Sequence, residues 1–66
     1  MTNTYRLARN HMVKIERIAT VPGKRSWLYG RFIPFFDTQK QYMTEAERVD
    51  VSDYIANISR DLAGAL

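Results

Sequence analysis

The segment VPGKRSWLYGRF, Val21–Phe32, has the residue types and spacing most suited to binding chemistry, because it mixes cationic side chains with aromatic rings. Cations neutralise phosphates and release counterions, while rings stack on unpaired bases for about 1–3 kcal/mol each. The pattern predicts a non-enzymatic protein that binds DNA or RNA by stoichiometric occupation. The predicted nucleic-acid-binding residues are Arg17, Lys24, Arg25, Trp27, Tyr29 and Arg31.

The apolar residues that follow this segment support an alternative interpretation. A domain of 66 residues is not expected to bury all of its rings. Exposed apolar clusters mark protein partners, and aromatic residues are enriched in binding hot spots. The alternative prediction is therefore a regulatory protein–protein interaction module or inhibitor. Its partner-binding residues would be Trp27, Ile33, Phe35 and Phe36.

Residues able to catalyse a reaction are few. The chain has no cysteine, and His11 is its one histidine. A nucleophile needs a proton acceptor within reach, and His11 is the one side chain here with an ordinary pKa near neutrality. Its neighbours predict a turn residue or a satisfied surface imidazole instead of a base, and the carboxylates between residues 45 and 53 are typical of a solvated helix face. Because a metal site needs three or four converging ligands, we predict no enzyme activity, no cofactor and no metal site.

The charges of the chain are divided unevenly along its length. Residues 1–34 carry seven cationic side chains and a single carboxylate, Glu16, whereas residues 35–66 carry three cationic side chains and six carboxylates. Such a dipole can attract a polyanion to one face. It equally lets the two halves, or two subunits, attract each other.

The elements that would position the binding residues are predicted to form a β-hairpin. Residues 13–21 are rich in β-branched side chains and residues 26–36 in aromatic ones, as strands prefer. Pro22 and Gly23 suit the central positions of a type II turn between them. A four-residue loop at this turn pairs Glu16 with Arg31, which brings opposite charges together. This hairpin would place Trp27, Tyr29 and Arg31 on one face.

The C-terminal part of the chain predicts a helix over about residues 45–63. Thr44 followed by Glu47 fits a capping box, and Gly64 suits the end of a helix. Whether the helix breaks near Asp50 or Ser52, both good N-cap residues, stays open. The predicted apolar stripe, at spacings of three and four, consists of Val51, Tyr54, Ile55, Ile58 and Leu62.

The N-terminal part has two interpretations. As a strand, residues 4–9 would turn at Asn10 and His11 and add a third strand to the hairpin. As a helix over residues 4–19, or over residues 4–12 before a short hairpin, they would gather their apolar side chains on one face. Strands are preferred, because the Pro-Gly turn needs a partner strand upstream.

The predicted fold is therefore α+β, a small antiparallel sheet of two or three strands packed on the C-terminal helix. Residues 1–66 would form a single domain, and its marginal size favours a homodimer. No apolar run reaches the roughly 20 residues that span a bilayer, and the N-terminus lacks the apolar stretch of a signal peptide. Since cysteine is absent, we expect a cytoplasmic protein with no membrane partner.

Overall fold

A computed structural model describes residues 1–65 and shows an all-helical protein. Its elements in chain order are α1 (Asn3–Arg17), α2 (Val21–Trp27), a π-helical segment (Leu28–Phe32), α3 (Ile33–Gln39), a 3₁₀ turn (Lys40–Tyr42) and α4 (Glu45–Gly64). The α2 helix, the π-helical segment and α3 follow one another directly, so that they form one central helix from Val21 to Gln39. The protein is thus a bundle of three helices: α1, the central helix and α4.

The predicted α+β fold and its hairpin over residues 13–21 and 26–36 are wrong, because residues 1–65 contain no strand. Most of the first predicted strand belongs to α1, and the whole of the second belongs to the central helix. Side chains that alternate on a strand therefore do not share a face here. On a helix, residues three and four apart are neighbours instead.

The Pro-Gly pair begins the central helix instead of making a turn. Thr20 is the N-cap, and its hydroxyl accepts from the backbone N–H of Gly23 at 3.1 Å. Pro22 lies in the first helical turn, where its missing N–H removes no helical hydrogen bond. Gly23 has an ordinary negative φ, but a Cβ there would lie 2.7 Å from Cγ2 of Ile18. The absence of a side chain at Gly23 therefore lets Ile18 pack closely against the start of α2.

The helical interpretation of the N-terminal part is confirmed by α1. Thr2 caps this helix by accepting from the backbone N–H of Tyr5 at 3.0 Å. Ala8, Met12 and Ile15 are buried on one side at spacings of four and three. The preference of β-branched residues for strands is weak, and burial of this apolar stripe outweighs it.

The central helix widens into its π-helical segment just before Pro34. The backbone N–H of Ile33 donates to the carbonyl of Leu28, five residues earlier. Pro34 cannot donate to Gly30, and in a regular α-helix its ring would clash with that carbonyl. We attribute the widening to this clash. The segment buries Leu28 and Phe32 completely, so it carries the centre of the core.

The predicted C-terminal helix is confirmed and runs without a break through Asp50 and Ser52. Thr44 and Glu47 form the expected reciprocal capping box. The predicted apolar stripe lies against the core, with three of its residues buried and two partly buried. Within residues 1–65 the buried core consists of Ala8, Met12, Ile15, Leu28, Phe32, Met43, Val51, Ile58 and Leu62. None of the helices in residues 1–65 combines the length and apolar character that crossing a membrane requires.

Candidate nucleic-acid interface

Lys24 binds the C-terminal end of α1. Its Nζ donates to the carbonyl of Ile15 at 2.8 Å and to that of Glu16 at 3.4 Å. These carbonyls belong to the last turn of the helix, whose oxygens lack the regular helical partner, although the carbonyl of Ile15 also accepts from the N–H of the C-cap residue Ile18 at 3.2 Å. A cation is also favoured there by the helix dipole. Lys24 therefore joins two helices and does not lie at a loop tip.

Arg25 makes the corresponding contact at the end of α4. Its Nη2 donates to the carbonyl of Leu62 at 2.8 Å, and the residue is half-buried. The two cations expected at the tip of a hairpin are thus bound to the ends of two different helices. Each of these two contacts joins the central helix to a neighbouring helix. The candidate interface is built from other cations.

Trp27 and Arg31 are brought together by the helix, because residues four apart share a face. The guanidinium carbon of Arg31 lies 4.8 Å from the centroid of the Trp27 ring, and Nζ of Lys14 lies 5.2 Å from it. Both are within the range of cation–π attraction. The indole Nε1 of Trp27 donates to Nδ1 of His11 at 3.0 Å. The indole is therefore held by a hydrogen bond at its edge and by two cations over its ring.

Of the remaining predicted residues, Phe35 lies close to Trp27, and the others are dispersed. Tyr29 is 52% exposed, and Arg17 is exposed at the end of α1. Phe35 packs against His11 with 4.8 Å between ring centroids. Phe36 lines a separate groove beside α4, and Ile33 is half-buried. The structure brings Trp27, Arg31 and Phe35 together and leaves these others apart.

An open groove of about 520 Å³ lies between α1 and the central helix, and we call it the α1 groove. One wall comes from α1 and the other from the central helix, and the residues lining it are Leu7, Asn10, His11, Lys14, Trp27 and Phe35. The α1 residues were missed as a site from the sequence. Asn10, His11 and Lys14 follow Leu7 by three, four and seven residues, which places all four on one face of a helix. The helical interpretation of this segment could therefore have grouped them.

The outer side of α1 carries exposed cations, which we call the basic face: Arg6, Lys14 and Arg17. At 1.5 Å per residue the basic face is about 16 Å long. Arg9 is exposed on the side of α1 toward α4, in a groove with Glu16 and Tyr54. The one carboxylate of residues 1–34, Glu16, accepts from the hydroxyl of Tyr54 at 2.9 Å. Burial and this carboxylate raise the pKa of Tyr54, so the phenol stays protonated. Glu16 is thereby directed toward α4.

Comparison with known proteins finds no matching family model and no significant match among curated proteins or solved structures. Within residues 1–65, no group of three or more histidine, aspartate or glutamate side chains is arranged to hold a metal ion. The basic face and the α1 groove are the surface features of residues 1–65 that bear on function.

His11 is the central polar group of the α1 groove. Its ring stacks on Phe32 with 5.3 Å between centroids, and its Nδ1 must be unprotonated to accept the N–H of Trp27. Burial lowers the pKa of His11 below its ordinary value of 6.5, and the positive charge of Arg31 lowers it further. The neutral imidazole is the form that fits this site.

Acidification is therefore expected to destabilise the protein through His11. Since the folded state has the lower pKa, the unfolded chain binds more protons, and stability is lost as the pH falls below about 6.5. Thermal unfolding followed between about pH 8 and pH 5 measures this loss. His11→Gln, which can still accept the N–H of Trp27 but does not titrate, should flatten the profile. A wild-type melting temperature that stays constant over this range would contradict the assignment.

Proposed function

We propose that this chain is a nucleic-acid-binding protein that acts by stoichiometric occupation, with the basic face of α1 as its phosphate-contacting surface. The observation that carries the proposal is the group of three exposed cations, Arg6, Lys14 and Arg17, on the outer side of one helix. The only carboxylate in residues 1–34, Glu16, accepts from Tyr54 on the side of α1 toward α4. Such a surface attracts phosphates by counterion release, whatever the base sequence.

The dimensions of the basic face suit a nucleic acid. Its length of about 16 Å corresponds to about five phosphates of one strand, at 3.4 Å per nucleotide. An α-helix also fits the major groove of B-DNA, which is about 12 Å wide. Arg31, exposed above Trp27, adds a cation on the neighbouring central helix. Of the residues predicted from the sequence, Arg17 and Arg31 belong to this surface, and Trp27 lies at its edge.

A protein partner is the second candidate function, and one observation favours it. Leu7 is 44% exposed on the wall of the α1 groove, opposite the rings of Trp27 and Phe35. Exposed apolar surface of this kind is typical of protein-binding sites. Binding through this surface would depend little on salt, because few charges would be neutralised.

The proposal is tested by titrating labelled single-stranded and duplex DNA and RNA with the protein over a salt series. If the basic face and Arg31 together contact four phosphates, the logarithm of the association constant should fall linearly with the logarithm of salt, with a slope of about −3 to −4. Fluorescence anisotropy measures both quantities. Absence of binding at about 50 mM salt, or a slope near zero, would contradict the proposal.

A further inference from the structure

We propose that the α1 groove receives an unpaired nucleobase, so that this protein prefers single strands to duplexes. The inference rests on the proposed function and names the class of nucleic acid that the site selects. It joins two features that lie side by side, the basic face of α1 and the aromatic groove at its edge. Lys14 belongs to both of them.

The walls of the groove suit a flat apolar ligand. Trp27 and Phe35 present rings, and Leu7 presents an exposed aliphatic side chain. Bases stack on such rings with little dependence on sequence, because every base has a π-face. The volume of about 520 Å³ lies within the usual range for small-ligand sites. A single base with its sugar therefore has room in the groove.

The rings are ordered by contacts within the protein. The indole of Trp27 is hydrogen-bonded to His11, which in turn packs on Phe32 and Phe35. Arg31 and Lys14 lie within cation–π distance of the indole. Because the rings of Trp27 and Phe35 are positioned in the free protein, binding requires little further ordering of these two side chains.

The polar groups of the groove complement a nucleotide. The amide of Asn10 can both donate and accept, so it can bond to the edge of a base of any type. Lys14 and Arg31 lie over the Trp27 ring, so a base that stacks on the indole displaces one of these cations, which can then bind a phosphate flanking that base. A paired base is stacked within its duplex and must be extruded before it can enter such a site. The charge complementarity favours a nucleic-acid strand over a neutral apolar peptide.

The fluorescence of Trp27, the only tryptophan, reports directly on the groove. The test compares a thymidine or uridine homopolymer with a duplex of equal phosphate number at the same salt concentration. We expect the single strand to quench Trp27 and to bind at least about tenfold more tightly than the duplex. The duplex should bind through the basic face without quenching.

A matched pair of variants locates the effect. Phe35→Leu keeps an apolar side chain at a half-buried position but removes a stacking ring. It should reduce single-strand affinity about tenfold and leave duplex affinity unchanged. Phe36→Leu, at the next residue and also half-buried, lines the separate groove and should change neither affinity. Thermal unfolding of both variants shows whether each remains folded.

The outcomes separate the two proposals. If single strand and duplex bind equally and Phe35→Leu has no effect, the groove inference is wrong while the basic face still stands as the binding surface. If neither nucleic acid binds, both proposals fail together. Quenching of Trp27 by an acidic, aromatic peptide in that case would assign the groove to a protein partner.

Discussion

Phe32→Ala is expected to remove a large part of the stability of the protein, because it should lower the free energy of unfolding by about 3–5 kcal/mol. Phe32 is completely buried in the central helix. It stacks on His11 of α1 and meets Tyr54 of α4 edge-on, with 6.1 Å between the latter ring centroids. One side chain therefore contacts all three helices. At about 0.05–0.15 kcal/mol per residue, a chain of this size has a total stability of roughly 3–10 kcal/mol.

Urea denaturation followed by circular dichroism measures the loss. Tyr29→Ala is the matched control, since Tyr29 lies in the same π-helical segment but is 52% exposed. That substitution should change the free energy of unfolding by no more than about 0.5 kcal/mol. A loss below about 1 kcal/mol for Phe32→Ala would mean that the helices are not held together at this ring.

The C-terminal helix was predictable because its signals are local. The capping box of Thr44 and Glu47 satisfies backbone groups within one turn, and the stripe from Val51 to Leu62 needs only helical periodicity. Both features can be recognised from neighbouring residues alone, without knowing which other elements pack against the helix. The absence of a break at Asp50 follows from that continuous stripe, which outweighs a possible second cap.

The hairpin was predicted wrongly because Pro-Gly has two uses. The pair suits the centre of a type II turn and equally the first turn of a helix, and an N-cap residue upstream of the pair favours the helix. Thr20 is a good N-cap two residues before Pro22, which favours the helical use. Pro34 lies inside the central helix, where proline is normally unfavourable, and the π-helical segment accommodates it. That accommodation depends on tertiary packing of Leu28 and Phe32.

The sequence indicated which types of residue form the candidate site, but it did not predict which of them lie together. Alternation along a strand would join Trp27, Tyr29 and Arg31, whereas the helix joins Trp27 and Arg31 and turns Tyr29 away. The use of Lys24 and Arg25 as partners for helix-end carbonyls depends on which helices lie nearby. The placement of His11 against Trp27 likewise arises only from packing of α1 on the central helix.

Replacing two cations of the basic face should weaken nucleic-acid binding strongly. Arg6→Gln with Arg17→Gln removes the two ends of this face, and each lost phosphate contact should make the salt slope less steep by about one. At about 0.1 M salt this corresponds to a roughly 10- to 100-fold lower affinity. Fluorescence anisotropy over a salt series measures the slope and the affinity together.

Lys40→Gln with Arg60→Gln is the matched control for this pair. Both double variants lower the formal net charge from +3 by two, and both alter exposed residues. Lys40 and Arg60 lie outside α1, so the control should leave the slope nearly unchanged. Equal losses in the two double variants would show that net charge, and not the basic face, determines binding.

The salt slope also separates the basic face from the α1 groove. Stacking of a base on Phe35 releases no condensed counterion, so Phe35→Leu should lower single-strand affinity by a similar factor at every salt concentration. The Arg6 and Arg17 substitutions should lower affinity more at low salt than at high salt, because fewer counterions are then released on binding. In a plot of log affinity against log salt, Phe35→Leu should shift the line without changing its slope, which would assign stacking to the groove. The Arg6 and Arg17 substitutions should make the slope less steep, which would assign phosphate contact to α1.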